Sequence, residues 1–154
     1  MNSYYENLPK KRMASGALFF DEENKLLIVK PTYRDYWLIP GGVIDKDESP
    51  LDCCVREVKE ELGLDFTRED FQFLGVDYKE KTEQSTESLQ FIFYGGFLSR
   101  EQIANIVFPR DELSEIRFEI IEKALPLFHK RMARRVESAL RFIGKNGVYL
   151  ENGI

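Results

Sequence analysis

The sequence has few cysteines, no long apolar run and no excess of positive charge, and each lack excludes a class of protein. Cys53 and Cys54 are neighbours, so they can neither close a long disulfide loop nor form a metal-ligand set alone. No run approaches the roughly 18 apolar residues of a membrane-spanning helix. The apolar segment 13–20 follows basic residues, but acidic residues come next instead of a signal-peptide cleavage site. We therefore expect a cytoplasmic protein in a reducing compartment.

The charge balance argues against a polyanionic partner. The chain has 22 basic and 27 acidic side chains, a formal charge of −5, so no overall positive field attracts a nucleic-acid polymer or an anionic membrane. A small anionic ligand would need a local attraction, and a divalent cation is the obvious bridge. A length of 154 residues predicts a single domain, since domains average roughly 150 residues.

The order of apolar patterns predicts strands on both sides of a central helix. Short apolar runs bounded by turn residues predict strands at 14–20, 25–30, 71–78, 89–98 and 116–121. Helical spacing predicts a helix over 51–62, with Gly63 as its C-cap. Helical spacing returns over 123–143, where Pro126 indicates two pieces, before a short apolar tail at 148–150. These patterns favour an α/β fold in which helices cover a mixed sheet.

The predicted helix over 51–62 separates its side chains by chemistry. Its leucine and valine residues fall on one face, whereas Glu57, Glu60 and Glu61 occupy another. Carboxylates at this spacing repel each other by roughly 0.2–0.5 kcal/mol per pair, so the free helix gains nothing from them. A bound divalent cation reverses that repulsion. Mg²⁺ prefers oxygen ligands and keeps several waters, which leaves room for substrate phosphate oxygens.

Residues outside the acidic face favour a metal site there. A lone acidic face is more often a solvated surface than a site. Here, however, Pro40-Gly41-Gly42 places permissive backbone just before the helix, where a carbonyl can approach an ion closely. Glu48 and Arg56 add a pair of opposite charges around the helix start. We interpret these residues as parts of the same site.

The segment from Gly42 to Leu64 reads GVIDKDESPLDCCVREVKEELGL. It matches the signature of the Nudix hydrolases, G-x5-E-x7-R-E-U-x-E-E-x-G-U, in which U is a bulky aliphatic residue. The matching residues are Gly42, Glu48, Arg56, Glu57, Val58, Glu60, Glu61, Gly63 and Leu64. The chain therefore resembles that family. The resemblance implies the Nudix fold, a mixed β-sheet sandwiched between α-helices, as a single domain over 1–154 with C-terminal helices and a tail from about residue 122.

The resemblance also implies a reaction. Nudix enzymes typically use Mg²⁺, or Mn²⁺ as a substitute, while water attacks a phosphorus atom of a nucleoside diphosphate linked to another group. Carried over by position, the metal ligands are Glu57, Glu60, Glu61 and the Gly42 carbonyl. Arg56 and Glu48 are the supporting residues, because an arginine fork can orient carboxylates. The implied partner is a small-molecule nucleotide substrate, and a homodimer is an option because dimers are common in the family.

The general base is left open by the resemblance. In this family it is either a glutamate of the signature, here Glu57, or an acidic residue on a later loop. The segment 109–118 resembles that loop, with Phe118 where the family often has tryptophan. Glu112 matches the position best and Glu115 is the second choice, although a solvated loop carboxylate is an equally good interpretation of Glu112.

Aromatic and basic residues near the signature are candidates for substrate binding. Tyr33, Tyr36 and Trp37 lie just before it and could stack a base. Arg34 could hold a terminal phosphate, as could Lys30, although either alone is more often a surface charge. Three aromatic residues of a later strand are better explained as core: Phe91, Phe93 and Tyr94.

Departures from subfamily patterns limit the substrate but do not name it. No proline lies between Pro50 and Pro109, so the downstream proline associated with ADP-ribose hydrolases is missing, and the extended signature of NADH-type enzymes is absent too. A non-catalytic Nudix-like domain that binds a nucleotide remains an alternative, although such domains often lose signature glutamates. An isoprenoid diphosphate isomerase is a weaker alternative, since it needs a cysteine in another segment.

The remaining reactive residues have structural interpretations. Cys53 and Cys54 lie on the predicted helix without an identifiable base beside them, so we expect helix packing instead of nucleophilic catalysis. His129 begins a basic run over 129–135 that could reach a phosphate or a partner chain. Because apolar residues recur within this run, a solvated face of an amphipathic helix is the favoured interpretation.

Overall fold

A mixed β-sheet forms the centre of the molecule in the computed structural model, which describes residues 2–154. The strands in this part of the chain are β1 Arg12–Phe20, β2 Leu26–Pro31, β3 Gly41–Val43, β4 Gln72–Lys79, β5 Ser88–Phe97, β6 Leu113–Glu119 and β7 Val148–Glu151. Their order across the sheet is β6-β2-β1-β5-β4-β7, and β3 pairs with β1 beside this path. The pairs β1–β5 and β4–β7 are parallel, and the other pairs are antiparallel.

Short helices connect the strands and cover the sheet. They are α1 Ser3–Glu6, α2 Pro50–Leu62, α3 Arg100–Ala104, α4 Ile121–Ala124 and α5 Lys130–Leu140, with 3-10 turns at Arg68–Asp70 and Leu125–Leu127. The 3-10 turn that contains Pro126 separates α4 from α5, as the sequence predicts. Among residues 2–154, no helix has both the length and the apolar character needed to cross a membrane.

Strand alternation distributes the core over both faces of the sheet. On β1, Ala17 and Phe19 pack in a cluster with the apolar side of α2, whereas Leu18 and Phe20 pack in a cluster with α5. Successive strand residues point to opposite faces, so a strand with buried residues on both faces reads as a continuous apolar run. The predicted α/β architecture, a mixed sheet sandwiched between helices, is confirmed.

The predicted elements are recovered with shifts of a few residues at their ends, but several short elements were not predicted. Those are α1, α3, β3 and the 3-10 turn at Arg68–Asp70, while the apolar tail is the edge strand β7. β3 is only three residues long and contains two glycines, so it has little strand propensity of its own. It forms because Ala14, Ser15 and Gly16 of β1 pair with it.

Local signals at both ends set the limits of α2. The Ser49 hydroxyl accepts a hydrogen bond from the Asp52 amide at 3.1 Å, and Pro50 occupies the first turn. Gly63 ends the helix with a φ of 70°, a conformation that glycine adopts without steric cost. These caps fix the helix over the segment that carries the glutamates. On its opposite side, Val58 and Leu62 are fully buried against the sheet.

A buried ion pair joins α5 to the sheet. Arg135 Nε donates to Asp77 Oδ2 on β4 at 2.7 Å, and the other Asp77 oxygen accepts from the Gly153 amide at 3.0 Å. The prediction that the basic run forms a solvated helix face is wrong for Arg135, which is only 6% exposed. The reason is tertiary: Asp77 lies 58 residues away in sequence and neutralises the guanidinium inside the fold.

We predict that Asp77→Asn destabilises the protein by about 3 kcal/mol, because it leaves the Arg135 guanidinium buried without a counter-charge. Urea denaturation followed by circular dichroism measures the free energy of unfolding. Glu22→Gln is the matched control, since it removes a carboxylate from an ion pair with Arg100 that is largely exposed. Equal losses of stability in the two variants would contradict a special role for the buried pair.

Candidate active site

Pairing of β3 with β1 brings Gly41 and Gly42 close to the acidic face of α2. Gly42 lies opposite Ser15 of β1. A Cβ atom added at Gly42 would overlap the Glu57 carboxylate, so glycine lets the backbone approach this carboxylate where another residue would displace the Glu57 side chain. The strand and the helix therefore place a backbone carbonyl and several carboxylates of the signature in the same small region.

Arg56 is the centre of the polar network in this region. Its guanidinium donates two hydrogen bonds to Glu48, from Nε at 2.7 Å and from Nη2 at 2.9 Å. Nη1 donates to Glu57 Oε1 at 2.8 Å and to Glu60 Oε2 at 3.2 Å. Nη2 also reaches the Val43 carbonyl of β3 at 3.2 Å. A single side chain thus orients three carboxylates and ties them to the strand.

The Glu48 carboxylate is held in its ionised form. The bidentate Arg56 contact, with a further hydrogen bond from the Asp45 amide at 2.9 Å, lowers the pKa of Glu48 to about 2. Glu48 precedes α2, and its side chain is 14% exposed. Its position supports the guanidinium from the side opposite to Glu57 and Glu60.

Two other carboxylates are destabilised as anions. Burial, followed by the charge of Glu57, raises the pKa of Glu61 to about 8, although the Gly41 amide donates to its Oε2 at 3.3 Å. Burial also raises the pKa of Glu57, partly offset by Arg56. The carboxylates at this site therefore carry more negative charge than the single Arg56 guanidinium can neutralise. A bound cation would reduce the repulsion among them.

The donor set fits a magnesium ion in its chemistry. Glu57, Glu60 and Glu61 supply hard carboxylate oxygens and Gly42 supplies a carbonyl, as Mg²⁺ prefers. Within residues 2–154, no group of three His, Cys, Asp or Glu side chains is already close enough to hold an ion. Arg56 draws Glu57 and Glu60 to itself, while the Gly41 amide holds Glu61. Ligation would require these carboxylates to turn from those partners towards the ion.

Glu112 lies close to the acidic cluster, unlike Glu115. The charge of Glu112 contributes to the raised pKa of both Glu57 and Glu61. Its backbone is held by a turn to Pro109 at 3.1 Å and by the Thr32 amide, which donates to the Glu112 carbonyl at 2.9 Å. Glu115 instead pairs with Arg117 on β6 at 3.0 Å. Of the two loop candidates, the structure brings only Glu112 towards the helix.

A cavity of about 250 Å³ opens beside the glycines of β3. Tyr33, Arg34 and Tyr36 line it together with Gly41 and Gly42. The Arg34 guanidinium lies over both tyrosine rings, 5.6 Å and 5.8 Å from their centroids. Three of the four predicted substrate-binding residues therefore share a cavity with Gly42, the one predicted metal ligand that lines it; Glu57, Glu60 and Glu61 do not.

Trp37 and several other candidates are placed elsewhere. Trp37 is 7% exposed and belongs to the core cluster on the α5 side, with Arg117 stacked 4.5 Å from its ring. It does not line the cavity, because its backbone pairs with Leu127 and turns the ring inward. Lys30 donates to the Arg34 carbonyl and so supports the loop. The core interpretation is confirmed for Phe91, Phe93 and Tyr94, which all pack in or against the core clusters, and Phe91 also lines the cavity.

The cysteines play a packing role. Cys53 and Cys54 are both buried on the inner side of α2, and burial raises the pKa of each thiol to about 12. Both thiols are therefore protonated at neutral pH and poor nucleophiles. The prediction of helix packing is confirmed for both.

Sequence reasoning missed cavity residues that come from distant strands. Arg12 and Gln90, from β1 and β5, line the same cavity as Tyr36. They are neighbours only because β1 and β5 pair in parallel, with Ala14 opposite Gln90. Strand alternation in β1 does place Arg12 on the face shared by Leu18 and Phe20, but the register with β5 is not visible in a single sequence.

Comparison with known proteins gives a family and a fold. A family model described as the NUDIX domain matches residues 10–139. An mRNA-decapping enzyme subunit 2 of Saccharomyces cerevisiae is 42% identical over 86 residues, which are 51% of this chain but only 8% of that protein. A probable DHNTP pyrophosphohydrolase of Lactococcus lactis is 28% identical over 120 residues, 74% of this chain and 66% of that protein. A crystal structure of a MutT protein from Methanosarcina mazei superposes with a TM-score of 0.71 at 22% identity, covering 90% of this chain and all of that one.

We predict that the metal-free protein becomes less stable as the pH rises from about 4.5 to about 8, and that Glu61→Gln weakens this dependence. The folded-state pKa of Glu61 is raised from 4.5 to about 8. Between these values the unfolded chain has lost a proton that the folded state keeps, so a rising pH favours unfolding. Urea denaturation in EDTA at several pH values measures the slope.

Glu60→Gln is the control for this prediction, because it removes a more exposed carboxylate of the same helix face. We expect it to leave most of the pH dependence in place. Identical slopes in wild type and Glu61→Gln would show that burial of Glu61 does not couple its ionisation to folding.

Proposed function

Because the chain belongs to the Nudix hydrolase family, we propose that it is a metal-dependent pyrophosphohydrolase acting on a nucleotide or nucleotide derivative. The observation that carries this proposal is that Glu57 lies against Gly42 and Glu61 accepts from the Gly41 amide, where these two glycines line a cavity, with Arg56 orienting Glu57. Every residue of the signature is present. A non-catalytic binding domain would not need this complete acidic set.

In the proposed site, Glu57, Glu60, Glu61 and the Gly42 carbonyl hold Mg²⁺, for which Mn²⁺ can substitute. The bound ion would neutralise charge on the pyrophosphate and acidify the attacking water. Arg56 orients Glu57 and Glu60, and Glu48 keeps Arg56 in place through its bidentate contact. These two are positioning residues, since neither needs to touch the substrate.

Glu112 is the proposed general base. It is exposed, it belongs to a turn tied to Thr32, and its charge acts on Glu57 and Glu61. A carboxylate in this position can accept the proton of the attacking water as the water adds to phosphorus, after which the phosphoric anhydride bond breaks. Glu57 is the second candidate, but its salt bridge to Arg56 and its proposed ligand role leave it less free to accept a proton.

The substrate side of the proposal rests on the loop between β2 and β3. Tyr33 and Tyr36 offer aromatic faces for a base, and Arg34 offers a guanidinium for a phosphate oxygen. The names of relatives differ in substrate, from an mRNA-decapping enzyme to a DHNTP pyrophosphohydrolase. The prediction that the substrate is a small molecule, and not a nucleic-acid polymer, stays a prediction.

A substrate panel with Mg²⁺ tests the proposal: nucleoside triphosphates, nucleoside diphosphate sugars, dinucleoside polyphosphates, diphosphoinositol polyphosphates and capped RNA, assayed for phosphate-containing products. We predict hydrolysis of at least one class, and that Glu60→Gln lowers kcat more than about a hundredfold because a ligand charge is lost. Circular dichroism should show a folded variant, since Glu60 contributes no core volume. Glu101→Gln on α3 is the control.

Absence of turnover across the panel, with nucleotide binding retained, would favour the non-catalytic alternative. Turnover in Glu60→Gln equal to that of Glu101→Gln would contradict the proposed ligand role of the helix face.

A matched pair of substitutions tests the general base. We predict that Glu112→Gln lowers kcat by about 10²–10⁴, the usual contribution of general base catalysis, while Glu115→Gln changes it only slightly. Metal affinity measured by calorimetry should stay unchanged in both variants. A normal rate for Glu112→Gln would transfer the role to Glu57.

A further inference from the structure

A basic cavity lies beyond Tyr36, on the α5 side of the sheet. Its volume is about 740 Å³, and its lining includes His129, one acidic residue, Glu83, and five cationic residues: Arg12, Arg34, Lys79, Arg131 and Arg135. We call it the distal basin. A concentration of arginine and lysine is unexpected in a chain whose formal charge is −5, since unpaired like charges repel each other. A local function is the natural explanation of such clustering.

Sheet register brings two of these cations together. Arg12 of β1 and Lys79 of β4 are both register partners of Ser88 on β5, which lies between them. Residues paired in this way point to the same face of a sheet. Their side chains therefore project together towards α5, whose first turn contributes Arg131.

The positive charge of the distal basin is only partly neutralised. Asp77 pairs with Arg135, but within residues 2–154 no carboxylate lies within 4.0 Å of a charged nitrogen of Arg12, Lys79 or Arg131. The Lys79 ammonium donates instead to the Ser85 hydroxyl. Burial, and then the charges of Arg131, Arg12 and Arg135, lower the pKa of Lys79. The cations are thus close enough to repel one another.

The position of Arg131 adds to this repulsion. Arg131 and Lys130 lie in the first turn of α5, which contains no acidic residue. Basic residues at a helix N-terminus oppose the helix dipole, whereas an anion there is stabilised by it. An anion in the distal basin would interact favourably with both the side chains and the helix.

The distal basin adjoins the cavity at Gly42, although none of the α2 glutamates Glu57, Glu60 and Glu61 lines either cavity. The smaller cavity beside Gly41 and Gly42 shares Arg12, Arg34 and Tyr36 with the distal basin. A ligand whose pyrophosphate lies at the glycines can therefore extend past Tyr36 into the basin. The two cavities together are within the usual size of small-molecule sites, roughly 300–1,000 Å³.

We propose that the distal basin binds a further phosphate group of the substrate, beyond the pyrophosphate that is hydrolysed. This inference rests on the proposed function for the identity of the cleaved bond. The substrate class is then a small molecule with an additional phosphate at the end remote from the α2 carboxylates. Arg131, Lys79 and Arg12 contact that phosphate, while Arg135 stays paired with Asp77 and supports the wall.

Calorimetric titration with inorganic tripolyphosphate, at low salt and in EDTA, tests the basin without any turnover. We expect Arg131→Gln and Lys79→Gln each to weaken binding about tenfold, the loss typical of a charge-assisted hydrogen bond. Lys130→Gln is the matched control: it removes the same charge from the adjacent residue of α5, which is exposed and does not line the basin. We expect less than about a twofold effect there. Circular dichroism verifies folding, and the two separate basin variants keep the test valid if either misfolds.

Several outcomes would overturn the proposal. Failure of the wild-type protein to bind tripolyphosphate would do so, as would equal weakening in Lys130→Gln and Arg131→Gln, which would indicate attraction to net charge alone. If orthophosphate binds as tightly as tripolyphosphate, with the same loss in Arg131→Gln, the basin is a site for free phosphate. Much tighter binding of an oligoribonucleotide with a 5′-triphosphate would overturn the small-molecule assignment. The binding test measures no hydrolysis, and the substrate panel measures no binding to the basin. A failure of this inference can therefore be distinguished from a failure of the proposed function.

Discussion

The crowding of carboxylates around the Arg56 guanidinium is the interaction on which the candidate site depends. Glu48 holds the guanidinium in a bidentate contact, and the guanidinium in turn holds Glu57 and Glu60. Glu61 lies outside this network, and burial makes its anion unfavourable. The network is stable enough to keep the helix face ordered, yet it leaves negative charge that a divalent cation can neutralise. The excess of carboxylates over cations at this site therefore explains both the hydrogen-bond network around Arg56 and the proposed binding of a metal ion.

The sheet separates opposite charges within the same small fold. Carboxylates are concentrated at the β3–α2 junction, while cations are concentrated where β1, β4 and α5 meet. The cavity lined by Tyr36 extends from the basic region to Gly42 of β3, which lies against Glu57 of α2. A polyphosphorylated molecule would have one end at each region, with the acidic end requiring a metal and the basic end requiring none. The net charge of −5 does not reveal that acidic and basic residues are concentrated in different regions.

Sequence reasoning performed best where local pattern and chemistry coincide. The limits of α2 follow from Ser49, Pro50 and Gly63, and the spacing of its glutamates follows from helix geometry, so both could be predicted. It performed less well for Trp37, whose ring packs in the core although it lies beside the cavity loop in sequence. Arg135 is likewise expected on the solvated face of its helix, but it is buried because it forms an ion pair with Asp77. Packing direction and distant partners decide both cases.

The sequence alone determined the family resemblance, the acidic helix and the strand–helix order, since these depend on contacts within a few residues or on a motif of fixed spacing. Tertiary structure decided which of the remaining residues meet. β3 exists only as a partner of β1, and Glu112 approaches the helix through a turn tied to Thr32. Arg12 and Lys79 meet across Ser88 because of sheet register. Register and pairing arise from the packing of the whole chain, and no local pattern encodes them.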